Sequence, residues 1–495
     1  MRVLRALALA LLLTGCSDSS NPTGPGGGPQ GPPTVELFAA TDANVMHGSW
    51  TSLRWHAPGA TAAAISPSVG AVSQPENGAA SVRPFQTTTY TLTVSNSVGT
   101  ASATVDVVVQ YPAGVYVSLQ GDDTHTGASP QEAIKTLGEA LVRTSSGGAI
   151  FIAGGIYDVA LLIDGAERTI YGGLNPQTFF QDPNFTTRIQ PTAASTPLTV
   201  RNSVGGTSLI SFLELDARFA GAVAADVENA NVQFQDCHLD GRYSGTGTAL
   251  LVHGASDVQA YRCRIQGGRT GGSHPETRGA AVLDASSLLL NTCFVDGGWA
   301  STQATGVDVA TTGTVRLGFD TISAERASGV AGHPTAAVRL RAGHPALGAN
   351  ILFTRGSAEH YGVVEEAADA DPSWLLGNLF FASPFTTPYR NFATDGDDPL
   401  TEDQLNDPSY INGVSDSVYR NRIANLNADL LFVDPNVADY HLVAPLPTGA
   451  PNPAVDRGDA LFLDGDRFGA SATDIDGQLR PQTVTRYDLG ADEHF

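Results

Sequence analysis

The feature that most constrains the fold is a phrase that recurs along the middle of the chain. It reads VQFQDCHLDG up to Gly241, VQAYRCRIQG up to Gly267 and LLLNTCFVDG up to Gly297. The matched positions are 26 to 30 residues apart, and weaker copies extend the series: Cys237, Cys263, Cys293, Asp320, Asn350 and Asn378, with an earlier copy around Leu213 and Leu215. This period is typical of a solenoid, in which each coil covers the hydrophobic face of the one before.

The residue two places after each cysteine is a branched aliphatic, namely Leu239, Ile265 or Val295. Residues two apart on a strand share a face, so each repeat is predicted to point both side chains into the core of a right-handed parallel β-helix. Asn350 and Asn378 allow two placements, either inward or at the bends between strands. The sequence leaves both open.

The three repeat cysteines would lie on adjacent coils, about 4.8 Å apart. That spacing meets the Cα criterion for a disulfide, but parallel side chains in register aim poorly for one. The sequence therefore favours buried free thiols at Cys237, Cys263 and Cys293, and leaves a disulfide between two of them open.

The N-terminus is typical of an exported protein. Two arginines precede an apolar run, Ala6–Leu13, that is too short to span a bilayer. The run ends in LTGC, which resembles the bacterial lipobox, and this resemblance implies a signal peptide over residues 1–15 and lipidation of Cys16. Residues 16–33, rich in Gly, Pro and Ser, are predicted to form a disordered tether. We expect a membrane partner through this anchor, in the cell envelope, with the outer membrane or cell surface favoured over the inner membrane.

Residues 34–111 alternate between apolar and polar side chains. Leu53 and Trp55 do so in one stretch, and Tyr90 and Leu92 in another, which predicts short strands with one buried face. The segment resembles the small immunoglobulin-like spacers of bacterial surface proteins, of the kind without a disulfide. The resemblance implies a small β-sandwich with Trp55 in its core.

A capped helix is predicted directly after this spacer. Ser129 can cap it, Pro130 occupies its first position, and Glu132 completes a capping box. The order of strand, Gly and Asp rich turn, helix and strand resembles the N-terminal cap of pectin-lyase-like β-helix proteins. This resemblance implies an all-β body, residues 115–445, whose open end is plugged by the short helix.

The C-terminal residues 446–495 contain four short pieces, PAVDRG, DIDG, RP and DLGADE. Together they resemble the closing stretch of the same class. The resemblance implies that this segment closes the β-helix.

Composition and motifs limit the chemistry. The net charge of -23 would repel a phosphate backbone, so no nucleic acid partner is expected. The chain lacks the Gly-His-Gly and Arg-Xaa-Lys pieces of hydrolases on this fold, and it has no Gly-Xaa-Ser-Xaa-Gly, His-Glu-Xaa-Xaa-His or Walker loop. No catalytic residue is assigned. An arginine such as Arg316, Arg339 or Arg341 beside loop carboxylates remains open as the base of a diverged enzyme.

Two groups of carboxylates suggest calcium, because this ion prefers several oxygens on a flexible loop. The first group is Asp395, Asp397 and Asp398, and the second is Asp464, Asp466, Asp474 and Asp476. Neither group matches an EF-hand loop. A solvated acidic surface is favoured for both, and calcium is the one cofactor that the sequence suggests.

The sequence therefore predicts a surface-displayed, lipid-anchored β-helix that acts as a binding or structural module and engages glycans or envelope components. The alternative is a polysaccharide lyase or glycoside hydrolase with a diverged site. Fold resemblance alone does not choose between them, because one scaffold hosts several activities.

Overall fold

The computed structural model describes residues 31–491, with gaps. The gaps are 47–48, 85–86, 111–112, 194, 219–222, 242–246, 270–274, 327–333, 356–358, 382–385, 393–401, 408–425, 429–431, 435–438, 444–451, 456–457, 460–472, 477 and 479–485. The chain forms two compact units that divide after Gln110. Within the described ranges no helix is long and apolar enough to cross a membrane.

The first unit is a β-sandwich. Its strands are β1 Leu37–Ala40, β2 Asn44–Met46, β3 Thr51–His56, β4 Ala62–Ser66, β5 Gly70–Ala71, β6 Asn77–Val82, β7 Thr88–Ser95 and β8 Thr100–Gln110. One sheet has the order β1-β3-β6, and the other has the order β2-β8-β7-β4-β5 with β2 parallel to β8.

The predicted alternation in this unit is confirmed. Leu53, Trp55, Tyr90 and Leu92 are all buried in one core between the sheets. The indole Nε1 of Trp55 donates to the carbonyl of Gln74 at 2.9 Å, so the polar end of the ring is satisfied inside the core. The immunoglobulin-like assignment of this sandwich stays a prediction.

The second unit is a parallel β-helix with strands of three kinds. Sheet A contains β12 Leu161–Asp164, β15 Leu198–Ser211, β17 Ala225–Gln235, β19 Thr248–His253, β22 Glu276–Asp284, β25 Gln303–Thr311, β28 Thr335–Ala342, β31 His360–Glu365 and β34 Thr386–Arg390. Sheet B contains β9 Gly114–Val117, β10 Ala149–Ala153, β13 Thr169–Leu174, the later halves of β15 and β17, β20 Asp257–Tyr261, β23 Ser287–Asn291, β26 Val315–Gly318, β29 Ala346–Gly348 and β32 Trp374–Leu376.

Sheet C contains β11 Gly155–Tyr157, β14 Thr187–Ile189, β16 Leu213–Asp216, β18 His238–Asp240, β21 Arg264–Gln266, β24 Phe294–Ala300, β27 Thr321–Arg326, β30 Ile351–Arg355, β33 Leu379–Phe381 and β35 Leu426–Ala428. The remaining elements are α1 Leu137–Arg143, α2 Glu402–Leu405, and two antiparallel pairs, β36 Phe432–Asp434 with β37 Asp439–Leu442 and β38 Gly458–Asp459 with β39 Arg486–Tyr487. From β12 to β33 every coil thus adds one strand to each sheet in parallel register, and the predicted β-helix is confirmed.

The repeat frame is confirmed residue by residue. The inward row of sheet C joins in register Leu215, Leu239, Ile265, Val295, Ile322, Leu352 and Phe380, and all of them are fully buried. Cys237, Cys263 and Cys293 are buried free thiols in the same core. Their burial agrees with the expectation that they pack as small apolar side chains.

The bends before sheet C settle the placement of the two asparagines. Asn350 donates from its backbone N to Asn378 Oδ1 at 3.2 Å and from Nδ2 to the same oxygen at 2.9 Å. Asp320 extends this buried ladder, because its N donates to Asn350 Oδ1 at 2.9 Å. The residue before each ladder position has a positive φ, for example 58° at Ala349, so the chain turns there at a conformation that L residues rarely adopt. The bend placement is therefore correct.

The glycine that ends each repeat phrase has a steric reason. A Cβ on Gly267 would lie 2.5 Å from the carbonyl oxygen of Arg278, and one on Gly297 would lie 2.3 Å from that of Thr305. At these two glycines the chain therefore passes so close to the following sheet A strand that no side chain fits.

The predicted capping helix is wrong in one respect, because two short elements replace it. A 3-10 turn, Pro130–Glu132, is capped by Ser129, and the separate helix α1 is capped by Thr136. The break arises at Ile134, whose N donates to the carbonyl of Tyr116 at 2.9 Å and so joins the edge of β9. Leu137 on α1 is buried in the core of the β-helix, so α1 still plugs this end.

The C-terminal residues lie along the outer face of sheet C. The rings of Phe432 and Phe353 are 5.0 Å apart, and those of His441 and Phe294 are 5.7 Å apart. Further along, Ala491 donates from its N to Thr321 Oγ1 at 3.2 Å. The described residues 432–434, 439–443, 452–455, 473–476 and 486–491, here called the C-terminal segment, therefore form an outer layer on that sheet.

Candidate binding surface

The three arginines that the sequence singled out lie on two different sheets. Arg339 and Arg341 belong to β28 of sheet A and point outward beside Asp308 of β25. Arg316 belongs to β26 of sheet B, and its register partners are Leu289 and Ala346. The structure therefore brings two of the three together and separates the third.

Asp308 holds two arginines at the centre of the outer face of sheet A. Its carboxylate is fully buried, and Arg341 binds it with two hydrogen bonds of 2.8 Å. Arg278 donates its Nε to Asp308 Oδ2 at 2.7 Å and also contacts Glu276. Burial of a carboxylate without such donors would be strongly unfavourable, so the two guanidinium groups are needed to keep Asp308 in place. The hydrogen bonds that Arg341 donates to Asp308 raise the pKa of Arg341.

Neighbouring strands extend the same face. Arg339 forms an ion pair with Glu366 at 2.7 Å, and the guanidinium of Arg390 lies 5.9 Å from the ring centre of Tyr361. We call the following set the arginine face: Arg278, Asp308, Arg339, Arg341, Tyr361, Glu366 and Arg390. Asp308, Arg339 and Arg390 stand in one outward row that crosses coils along the axis.

The arginine face is suited to hydrogen bonding more than to proton transfer. A guanidinium has five N–H donors, and the two that Arg341 gives to Asp308 leave three at fixed positions. Each carboxylate of the face, Glu276 included at its edge, already contacts a guanidinium. Within the described residues the face therefore offers ordered donors, but no carboxylate without a guanidinium partner to act as a base.

Sequence reasoning missed Asp308, although a signal was present. It interrupts the apolar GVDVA stretch at an outward position, and Arg339 follows one coil later at the matched place. Sequence reasoning also missed Glu365, a buried carboxyl group on β31. Burial raises the pKa of Glu365 to about 7, while hydrogen bonds from Tyr389 and from the N of Phe392 oppose that rise. Tyr389 is fully buried in the core, so Glu365 points into the cylinder and away from the arginine face.

The described part of the second acidic group has structural roles. Asp474 Oδ1 accepts from the backbone N of Asp476 at 3.0 Å and of Gln478 at 2.8 Å. Asp476 pairs with His441 Nε2 at 2.7 Å and lies 3.8 Å from Arg264, and the hydrogen bond from His441 lowers its pKa.

The other predicted site residues lie outside the described residues: Cys16, Asp395, Asp397, Asp398, Asp464 and Asp466. Among the residues that are described, no group of three or more His, Cys, Asp or Glu side chains is placed to hold a metal ion. Calcium binding by the two acidic groups stays a prediction.

Comparisons with known proteins found similarity to solved structures, and none to a family model or a curated protein. Among solved structures, a rhamnogalacturonan lyase is similar over 58% of this chain and 89% of its own, with 11% identity and a TM-score of 0.28. A pectin methylesterase from Aspergillus niger is similar over 57% and 85%, with 14% identity and a TM-score of 0.20.

Proposed function

We propose that this chain is a lipid-anchored, surface-displayed β-helix module that binds glycans through the arginine face. The observation that carries the proposal is the clamp of Arg278 and Arg341 on the buried Asp308. Guanidinium groups fixed by a carboxylate lose little side-chain entropy when they donate their remaining hydrogens to ligand oxygens.

The shape of the face supports a polymeric ligand. Rows of outward side chains repeat along the axis at the spacing of the coils, about 4.8 Å. Arg339 and Arg390 stand two coils apart in such a row, with the buried Val364 between them. A long hydroxyl-bearing chain that follows the axis would meet the guanidinium groups of Arg339 and Arg390, two coils apart.

The proposal also includes the N-terminal anchor, which rests on the LTGC sequence and the tether after it. Several acyl chains hold a protein on a membrane far more firmly than one does. A Cys16→Ser variant is expected to leave the membrane fraction, while the parent chain remains in it after a high-salt wash. Equal membrane retention of both would contradict the anchor.

The glycan proposal is tested with the full chain carrying Cys16→Ser, by affinity electrophoresis against a panel of neutral and acidic polysaccharides. Arg341→Gln is expected to weaken retention by about tenfold or more, because it removes a charged donor and frees Asp308. Arg201→Gln is the matched control, since Arg201 forms an exposed ion pair with Asp164 elsewhere on sheet A. The proposal would be contradicted if no polysaccharide retarded the protein. It would also be contradicted if both variants reduced the retention equally.

The same panel separates binding from catalysis. Incubation with and without calcium, followed by measurement of unsaturated products and new reducing ends, detects a lyase or a hydrolase. We expect no turnover, because each carboxylate of the face already contacts an arginine. If the parent chain showed turnover and Arg339→Gln or Arg341→Gln abolished it, the chain would be an enzyme and not a binding module.

A further inference from the structure

A groove on the outer face of sheet B combines an aromatic ring, a guanidinium and an imidazole. Arg316, Ala346 and Trp374 are register partners on three successive coils. They line a cavity of about 220 Å³ together with His344 and Ser373. This groove lies on a different sheet from the arginine face.

The dimensions of the groove suit one ring. Arg316 and Trp374 are separated by two coil spacings, roughly 10 Å in all. The residue between them is Ala346, whose methyl group leaves the space above it open. Pockets for drug-sized ligands hold about 300–1,000 Å³, so the smaller cavity here suits a single sugar residue.

The charge in the groove differs from that on the arginine face. Arg316 is exposed, and no described residue forms an ion pair with it, whereas Arg339 and Arg341 are both bound to carboxylates. The chain as a whole carries a net charge of -23. An arginine without an internal carboxylate therefore offers the groove's ligand a full bidentate donor pair.

The imidazole adds an acceptor. His344 Nδ1 lies 2.9 Å from the carbonyl oxygen of Asp371, and a carbonyl only accepts, so Nδ1 carries the hydrogen. In the neutral ring Nε2 is then an acceptor, which is the group that a sugar hydroxyl requires. The half-buried indole of Trp374 supplies an apolar surface for the C–H face of a sugar ring.

We propose that this groove binds a single sugar residue that carries a carboxylate. Trp374 packs against the ring, Arg316 pairs with the carboxylate, and His344 Nε2 accepts from a hydroxyl. The site is independent of the arginine face, so a chain that binds no polysaccharide there can still bind an acidic sugar here.

The test compares glucuronic acid with glucose, which differ only in the carboxylate that replaces a hydroxymethyl group. Binding to the full chain carrying Cys16→Ser is followed by saturation-transfer NMR and by tryptophan fluorescence. Glucuronic acid is expected to bind at least tenfold more tightly than glucose, and Arg316→Gln is expected to remove that preference. Trp374→Phe is expected to weaken both sugars and to abolish the fluorescence response.

Three controls keep the result interpretable. Arg316 is exposed, so Arg316→Gln is expected to keep the thermal unfolding midpoint of the parent. Arg316→Lys retains the charge but loses the bidentate geometry, and is expected to restore part of the preference. Arg201→Gln, at the exposed ion pair with Asp164, should leave glucuronic acid binding unchanged. Equal binding of glucose and glucuronic acid by the parent chain, or a preference that survives Arg316→Gln, would overturn the proposal.

Discussion

The outer row of sheet C is polar in its first half and largely apolar in its second, although its inner row is apolar throughout. In register along the coils the outer row reads Arg188, Glu214, His238, Arg264, Phe294, Thr321 and Ile351. The inner row one residue further on is aliphatic at every one of these coils. The two halves thus share one core and differ only in what they present outward.

The outward side chains of the two halves find their partners in different ways. In the polar half Arg188 pairs with Glu214 on the next coil at 2.9 Å, and His238 bonds to Gln266 at 3.0 Å. In the apolar half the C-terminal segment covers Phe294 and Ile351, which are 4% and 1% exposed. A strand that is apolar on both faces must be covered on both, and the chain itself supplies the second cover.

Among the tests of the difference between the two halves, Phe353→Ala has the largest expected effect on stability. Phe353 is 1% exposed and packs against Phe432 of the C-terminal segment. Removal of a buried phenylalanine side chain costs about 3–5 kcal/mol of unfolding free energy. We expect a loss of that size in urea unfolding, together with earlier proteolysis of the C-terminal segment.

The matched control for Phe353→Ala is His238→Ala in the polar half of the same sheet. It removes one partly buried hydrogen bond, and the expected loss is about 1 kcal/mol. Similar losses in the two variants would show that the C-terminal segment does not bury the outer face as described.

The second test is the pH dependence of the last coils, where Glu365 points into the core. Its pKa is about 7 in the folded chain and near 4.5 in the unfolded one, because burial disfavours the charged form. The native state then binds the proton more tightly than the unfolded state, so stability falls as pH rises from 4.5 to 7 and is constant above. The full change is on the order of 3 kcal/mol.

The groups that face Glu365 are the hydroxyl of Tyr389, the N of Phe392 and the carboxylate of Asp371. Hydrogen exchange measures the effect locally. Amides of β31 and β34 are expected to exchange faster at pH 8 than at pH 5 after correction for the intrinsic rate, while those of β19 in the polar half should not change. Glu365→Gln keeps the shape without the charge and is expected to remove the pH dependence. A persistent pH dependence in that variant would assign it to another group.

The sequence predicted the inner row well, because a repeat of 26 to 30 residues identifies inward positions directly. The residues two places after the matched positions, from Leu239 to Phe380, are in register as expected. The outer row held a signal that went unused. The runs ILF at Ile351 and LFF at Leu379 lack the alternation of HLD at His238, and continuous apolar runs indicate two buried faces.

The arginine face and the break in the capping helix were harder to predict, because both depend on contacts across coils. The role of Asp308 can be recognised only when Arg341, 33 residues later, is known to lie beside it. The break at Ile134 follows from its hydrogen bonds with Tyr116 and Ser118, which compete with a continuous helix. Local caps and propensities cannot anticipate such tertiary partners.

The test with the smallest expected effect concerns the boundary between the two halves. There Asp476 of the C-terminal segment lies between His441 and Arg264. The three side chains are 27–37% exposed, so the ion pairs of Asp476 are expected to contribute about 0.2–1 kcal/mol to the unfolding free energy. Asp476→Asn is expected to lower the unfolding free energy by that amount, and less at high salt. Because the pKa of Asp476 is lowered, its stabilisation is present at neutral pH and is lost as pH falls through that pKa.

Asp164→Asn is the matched control for Asp476→Asn, since Asp164 and Arg201 form an ion pair of similar exposure far from the boundary. Both variants should lose little stability, but only Asp476→Asn should speed amide exchange at Ile475 and Ala491. The N of Ile475 donates to the carbonyl of Ala491 at 3.0 Å, so those amides report whether the segment stays on the sheet. If the two variants gave the same exchange there, the pair would be an ordinary surface contact, and the apolar contacts of Phe294 and Phe353 alone would hold the segment in place.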